Sequence, residues 1–117
     1  MTNAARLTGK KCVPCEGGAA ALSKKEAVLL LKHLKDWKLS KNTGAITVEY
    51  LMKDFMAAIR LVNRIAQIAE AEGHHPDIHL SGYRKLKIEI STHAIGGLSE
   101  NDFILAAKID ALPKNLK

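Results

Sequence analysis

The sequence predicts an α+β domain: a four-stranded antiparallel sheet with three helices on one face, in the order α-β-β-α-β-β-α. Four short segments alternate apolar and polar residues with the period of a half-buried strand. Three others repeat apolar residues at helical spacing. Asn, Gly and Pro fall between them, where a chain must turn.

The first 21 of the 117 residues show no periodicity and are Gly- and Ala-rich. They are expected to form a flexible leader, with residues 22–117 a single domain. Ser23-Lys-Lys-Glu26 has capping-box spacing, in which Ser takes the Glu amide and Glu reaches back. Ala27, Leu30, Leu31 and Leu34 follow as an apolar stripe, so a helix is expected to run to about Lys35. Trp37 and Leu39, then Ile46, Val48 and Tyr50, alternate on either side of Asn42-Thr43-Gly44, a hairpin pattern.

Phe55, Ile59, Val62, Ala66 and Ala69 recur at helical spacing, and Met56, Leu61, Ile65 and Ile68 widen the stripe to a deeply buried face. A long helix is expected over about 53–72, stopped by Gly73 and by Pro76 beyond it. Ile78 and Leu80, then Leu86, Ile88 and Ile90, give a second pair of strands around Gly82 and Tyr83. Ser99-Glu-Asn-Asp102 starts the last helix, where Asp at the third helical position suits the helix dipole. Phe103, Ala106 and Ala107 give that helix one apolar side, and Pro113 follows its end.

Composition narrows the function classes. The net charge of +6 comes from basic residues spread among acids, and only two Phe, two Tyr and one Trp could stack on bases. Nucleic acid is therefore an unlikely partner. No apolar run approaches the roughly 20 residues of a membrane span. Met1 to Lys11 contains no apolar stretch of secretory type, so a cytoplasmic location is expected. Cys12-Val-Pro-Cys15 has the spacing of half a zinc site or of a redox pair. It does not sit between a strand and a helix, and is read as structural or incidental.

The residues that suggest chemistry lie from 70 to 102: Glu70, His74, His75, Pro76, Tyr83, His93 and Asp102. Histidine exchanges protons near neutral pH, its ordinary pKa being about 6.5. Pro76 restricts His75 towards extended backbone. Glu70 lies four residues before His74, a spacing at which a carboxylate orients an imidazole. His75 and His79 also lie four apart, but on a strand they would stand about 13 Å from one another, too far to chelate one ion. No metal site is expected, and His79 should face solvent. Strand parity sets His93 away from the Leu86, Ile88 and Ile90 face, beside Ala-Ile-Gly-Gly, where it could overhang a cleft. The ordinary roles of these groups are helix capping for His74 and Asp102, a solvated helix position for Glu70, and packing for Tyr83.

The set Glu70-x3-His74-His75-Pro76-x6-Tyr83-x9-His93-x8-Asp102 resembles the signature of the pterin-4a-carbinolamine dehydratases. Phe55-Met-Ala-Ala-Ile-Arg-Leu-Val-Asn, Ser91-Thr-His93 and Gly96-Gly-Leu-Ser-Glu-Asn-Asp102 extend the likeness over roughly residues 22–112. The resemblance implies dehydration of a 4a-hydroxytetrahydropterin to a quinonoid dihydropterin, which recycles the pterin of aromatic amino acid hydroxylases. It implies His74 and His93 as acid–base groups, and His75 as a group that binds and polarises the substrate. Glu70, Pro76 and Asp102 would orient or bind. It further implies a homodimer or homotetramer that needs no metal or other cofactor. One animal relative also acts as a dimerisation cofactor for a transcription factor, so a non-catalytic protein-binding module is the alternative. Ala94 stands where many relatives carry an acidic or polar residue, and Gly73 where some carry a carboxylate.

Overall fold

The structure, a computed structural model, describes residues 21–92 and 95–117. The leader up to residue 20, with Cys12 and Cys15, lies outside the described residues, as do His93 and Ala94. The elements are α1 (Lys24–Leu31), β1 (Lys38–Leu39), β2 (Ile46–Leu51), α2 (Phe55–Glu72), β3 (Asp77–Ser81), β4 (Lys85–Ile90) and α3 (Glu100–Asp110). This is the expected order.

The strands pair antiparallel in the order β1-β2-β4-β3. The register sets Val48 and Ile78 on either side of Ile88, and Tyr50 and Leu80 on either side of Leu86. Because side chains alternate across a strand, these residues share one face. That face packs against Leu61 and Ile65 of α2 and Phe103, Leu105 and Ile109 of α3. The other face carries Thr47, Glu49, His79, Lys85, Lys87 and Glu89.

Ser23 and Glu26 form the expected capping box on α1. The helix ends at Leu31 rather than near Lys35, and of its stripe only Ala27 is fully buried. The cause is the next turn: His33 and Leu34 donate three residues back, and Asp36 takes a left-handed φ of 63°. Asp110 of α3 captures the Lys35 amide at 2.9 Å and the Trp37 indole nitrogen at 2.9 Å, drawing the chain across into β1.

Asp54 caps α2 by accepting from the Ala57 amide at 2.8 Å. The buried face of α2 is Ala57, Ala58, Leu61, Ile65 and Ala69. Phe55 and Met56 are 49% and 56% exposed, against expectation. The small Ala57 and Ala58 side chains occupy the first turn's inward positions, which turns their larger neighbours outward. α3 departs the other way. Instead of one apolar side it is buried all round, from Asn101 through Ala107 and at Ile109. Lys108 of α3 reaches the Glu72 carboxylate of α2 at 3.3 Å, joining the two helices at the end where α2 stops.

Candidate active site

The end of α2 meets the beginning of α3. Gly73 takes a left-handed φ of 65°, a conformation that favours glycine and commonly ends helices. The Gly73 and His74 amides then donate back to the last turn, His74 to the Ala69 carbonyl at 3.2 Å. This turn delivers the His74 ring to the first turn of α3. Its Nε2 lies 2.6 Å from Asp102 Oδ1.

Asp102 is fully buried, and the His74 side chain is 12% exposed. A buried carboxylate needs partners for its lone pairs, and Asp102 has them. Its Oδ2 accepts from the Thr92 hydroxyl and from the Ser99 amide, each at 2.8 Å. Ser99 is the N-cap of α3 and Asp102 its third residue, so the expected helix-start signal also holds the carboxylate in place. The Ser99 hydroxyl stands 2.8 Å from the Thr92 hydroxyl.

Glu70 does not orient His74, as its spacing suggested. Its Oε1 lies 2.9 Å from His75 Nε2. The four-residue rule applies within a continuous helix, and the left-handed turn at Gly73 carries His74 off that face. The His75 and Glu70 side chains are 61% and 80% exposed. Such a pair is screened by water and contributes at most about 1 kcal/mol. The two adjacent histidines therefore differ sharply: one is clamped in the interior, the other tethered loosely at the surface.

The remaining sequence-predicted residues sort as follows. Pro76 is half-buried and leads directly into β3. His79 is exposed, as expected. Tyr83 is not brought to this cluster. It sits beyond the far end of β3 from His74, exposed, with φ of 56° and the Arg84 guanidinium over its ring. His93, the residue after Thr92, lies outside the described residues. Among the described residues no group of three or more His, Cys, Asp or Glu side chains could hold a metal ion. Thr92 was missed at the sequence level. The signal was its parity: it continues the Leu86, Ile88, Ile90 series, so a polar side chain was due on the buried side.

The fold is thus a small α+β scaffold that clamps one histidine on a buried carboxylate, next to a second histidine–carboxylate pair. The family model described as pterin 4 alpha carbinolamine dehydratase matches residues 20–112, and the chain belongs to that family. A Halorhodospira halophila protein bearing the family's name is 47% identical over 106 residues, covering 91% of this chain and 96% of its own. The pterin-4-alpha-carbinolamine dehydratase 2, mitochondrial, of Arabidopsis thaliana is 47% identical over 111 residues, covering 92% of this chain and 59% of its own. A solved structure from Brucella melitensis, a transcriptional coactivator/pterin dehydratase, superposes with a TM-score of 0.73 at 30% identity, covering 78% of this chain and 96% of its own. Among the described residues no helix is long and apolar enough to cross a membrane.

Proposed function

We propose that this protein dehydrates a 4a-hydroxytetrahydropterin, such as 4a-hydroxytetrahydrobiopterin, to the quinonoid dihydropterin, recycling the cofactor of aromatic amino acid hydroxylases in the cytoplasm. The observation that carries this reading is the 2.6 Å contact between His74 and the fully buried Asp102. Hydroxide is a poor leaving group, so the reaction needs a proton donor at the 4a oxygen. A protonated imidazole supplies that proton, and the C4a–O bond breaks as water departs. The lone pair of the neighbouring ring nitrogen forms the new C=N bond, and that nitrogen's proton passes to a second imidazole. In this reading His74 and His93 exchange the protons. His75 binds and polarises the pterin, and Glu70, Pro76 and Asp102 orient the group. Positioned proton transfer contributes typically about 10²–10⁴-fold. The active assembly is a homodimer or homotetramer.

Rapid-mixing absorbance spectroscopy on freshly generated 4a-hydroxytetrahydropterin tests this. Dehydration should run well above the buffer rate, and His74→Ala and His93→Ala should each lose at least about tenfold while remaining folded. No acceleration over buffer would refute the reading. Then the coactivator name of the Brucella protein would favour a protein-binding module, read by stoichiometric capture of a transcription factor.

A further inference from the structure

We propose that His74 handles protons through Nδ1, and that Thr92 is a positioning residue that holds Asp102, the group that fixes this choice. For its consequence in turnover, the inference rests on the dehydratase reading above. A carboxylate accepts and does not donate. The 2.8 Å contact from Thr92 Oγ1 to Asp102 Oδ2 therefore uses the threonine's single hydroxyl proton. The Ser99 hydroxyl, 2.8 Å from the same Thr92 oxygen, must then donate to it. The result is a one-way chain: Ser99 to Thr92, and Thr92 to Asp102.

With Oδ2 occupied by Thr92 and by the Ser99 amide, Oδ1 is the oxygen presented to His74. Nε2 of the ring must carry a proton to meet it. In neutral imidazole the other nitrogen is then bare. Nδ1 is left to take and return the substrate's protons.

Thr92 suits the task. It is 4% exposed, and its backbone is held on the same loop by bonds between Thr92 and Gly97. Both hydrogen bonds of its hydroxyl are made inside the protein. Removing it would leave Asp102 Oδ2 with the Ser99 amide alone. The carboxylate would be held less firmly, and the His74 ring bonded to it would be placed less precisely.

The ring nitrogens of His74 can be read directly by ¹⁵N NMR of the uniformly labelled protein without substrate, at a pH where the imidazole is neutral. Wild type should show one tautomer, protonated at Nε2. Thr92→Val, nearly the same shape without the hydroxyl, should keep that tautomer, because either carboxylate oxygen still accepts from Nε2–H, but should lower kcat by about tenfold, and Thr92→Ser should restore it. Asp102→Asn gives an independent check. Thr92 and Ser99 both donate to the Oδ2 position, so the amide oxygen should settle there and turn the NH₂ towards His74. The tautomer should invert to Nδ1–H. A Thr92→Val turnover equal to wild type would overturn the role of Thr92. Nε2–H retained in Asp102→Asn would overturn the directional chain. The tautomer spectra need no turnover, so the Nδ1 assignment can fail while dehydration stands, or stand while dehydration fails.

Discussion

Asp102 and Glu70 are the same chemistry in two environments, and burial decides which matters. Asp102 is fully buried with three protein donors, whereas Glu70 is 80% exposed with one histidine partner. Hydrogen bonds to buried charges contribute about 1.5–3 kcal/mol each. An exposed pair contributes about 0.2–1 kcal/mol. Asp102→Asn should therefore slow dehydration by about 10²-fold or more. Glu70→Gln should change it by no more than about fivefold. Steady-state kinetics on the two variants decides; equal losses would contradict the account. At this scale the sequence made His74 and Asp102 legible as candidates but not as partners. Spacing rules work along one helix, and the bond spans 28 positions and two helices. Thr92 escaped because the apolar alternation stops at Ile90, and the polar side chain that continues its parity carries no apolar signal.

The elements were largely legible, and their ends show why some were not. Gly73 was read as a stop, and its left-handed backbone is the reason it works. Nothing lies within 4 Å of where a Gly73 Cβ would stand, so Gly73→Ala meets no clash. Its cost is conformational, about 1–2 kcal/mol, measurable by urea denaturation. An unchanged stability would show that the turn does not need glycine.

The early end of α1 depends on Asp110, far along the chain, which no local pattern reveals. Burial raises the Asp110 carboxyl above its ordinary pKa of 3.8, while the Lys35 amide, the Trp37 indole and the charges of Lys114 and Lys35 oppose that rise. With the folded pKa above the unfolded one, the unfolded chain loses its proton first. This contribution is fully present below pH 3.8 and declines as pH rises through the folded value. Asp110→Asn should flatten that part of the stability profile. It should also cost about 1–3 kcal/mol near neutral pH, since an amide offers one oxygen to two donors. A variant with the wild-type pH slope would contradict the assignment.

Over the whole molecule, alternation indicated that one sheet face would be buried. It could not give the strand order β1-β2-β4-β3, because pairing β2 with β4 is a contact between distant segments. Among the described residues β3 is an edge strand of the sheet, and an edge strand is a template for another strand. Phe55 and Met56 stand largely exposed at the start of α2. The proposed homo-oligomer would cover such surfaces. Sedimentation equilibrium should give a dimer or tetramer, and Met56→Glu should shift the population towards smaller species. A wild-type monomer at micromolar concentration would contradict this assembly.

In the proposed reaction the clamped imidazole of His74 stands at the carbon from which water leaves. The direct measurement is a crystal structure of the protein with a bound dihydropterin. The account predicts the ring's 4a carbon, or the oxygen it carries, at about 3–3.5 Å from His74, with the bond to Asp102 intact. A pterin seated elsewhere, with His74 turned away from it, would contradict the account.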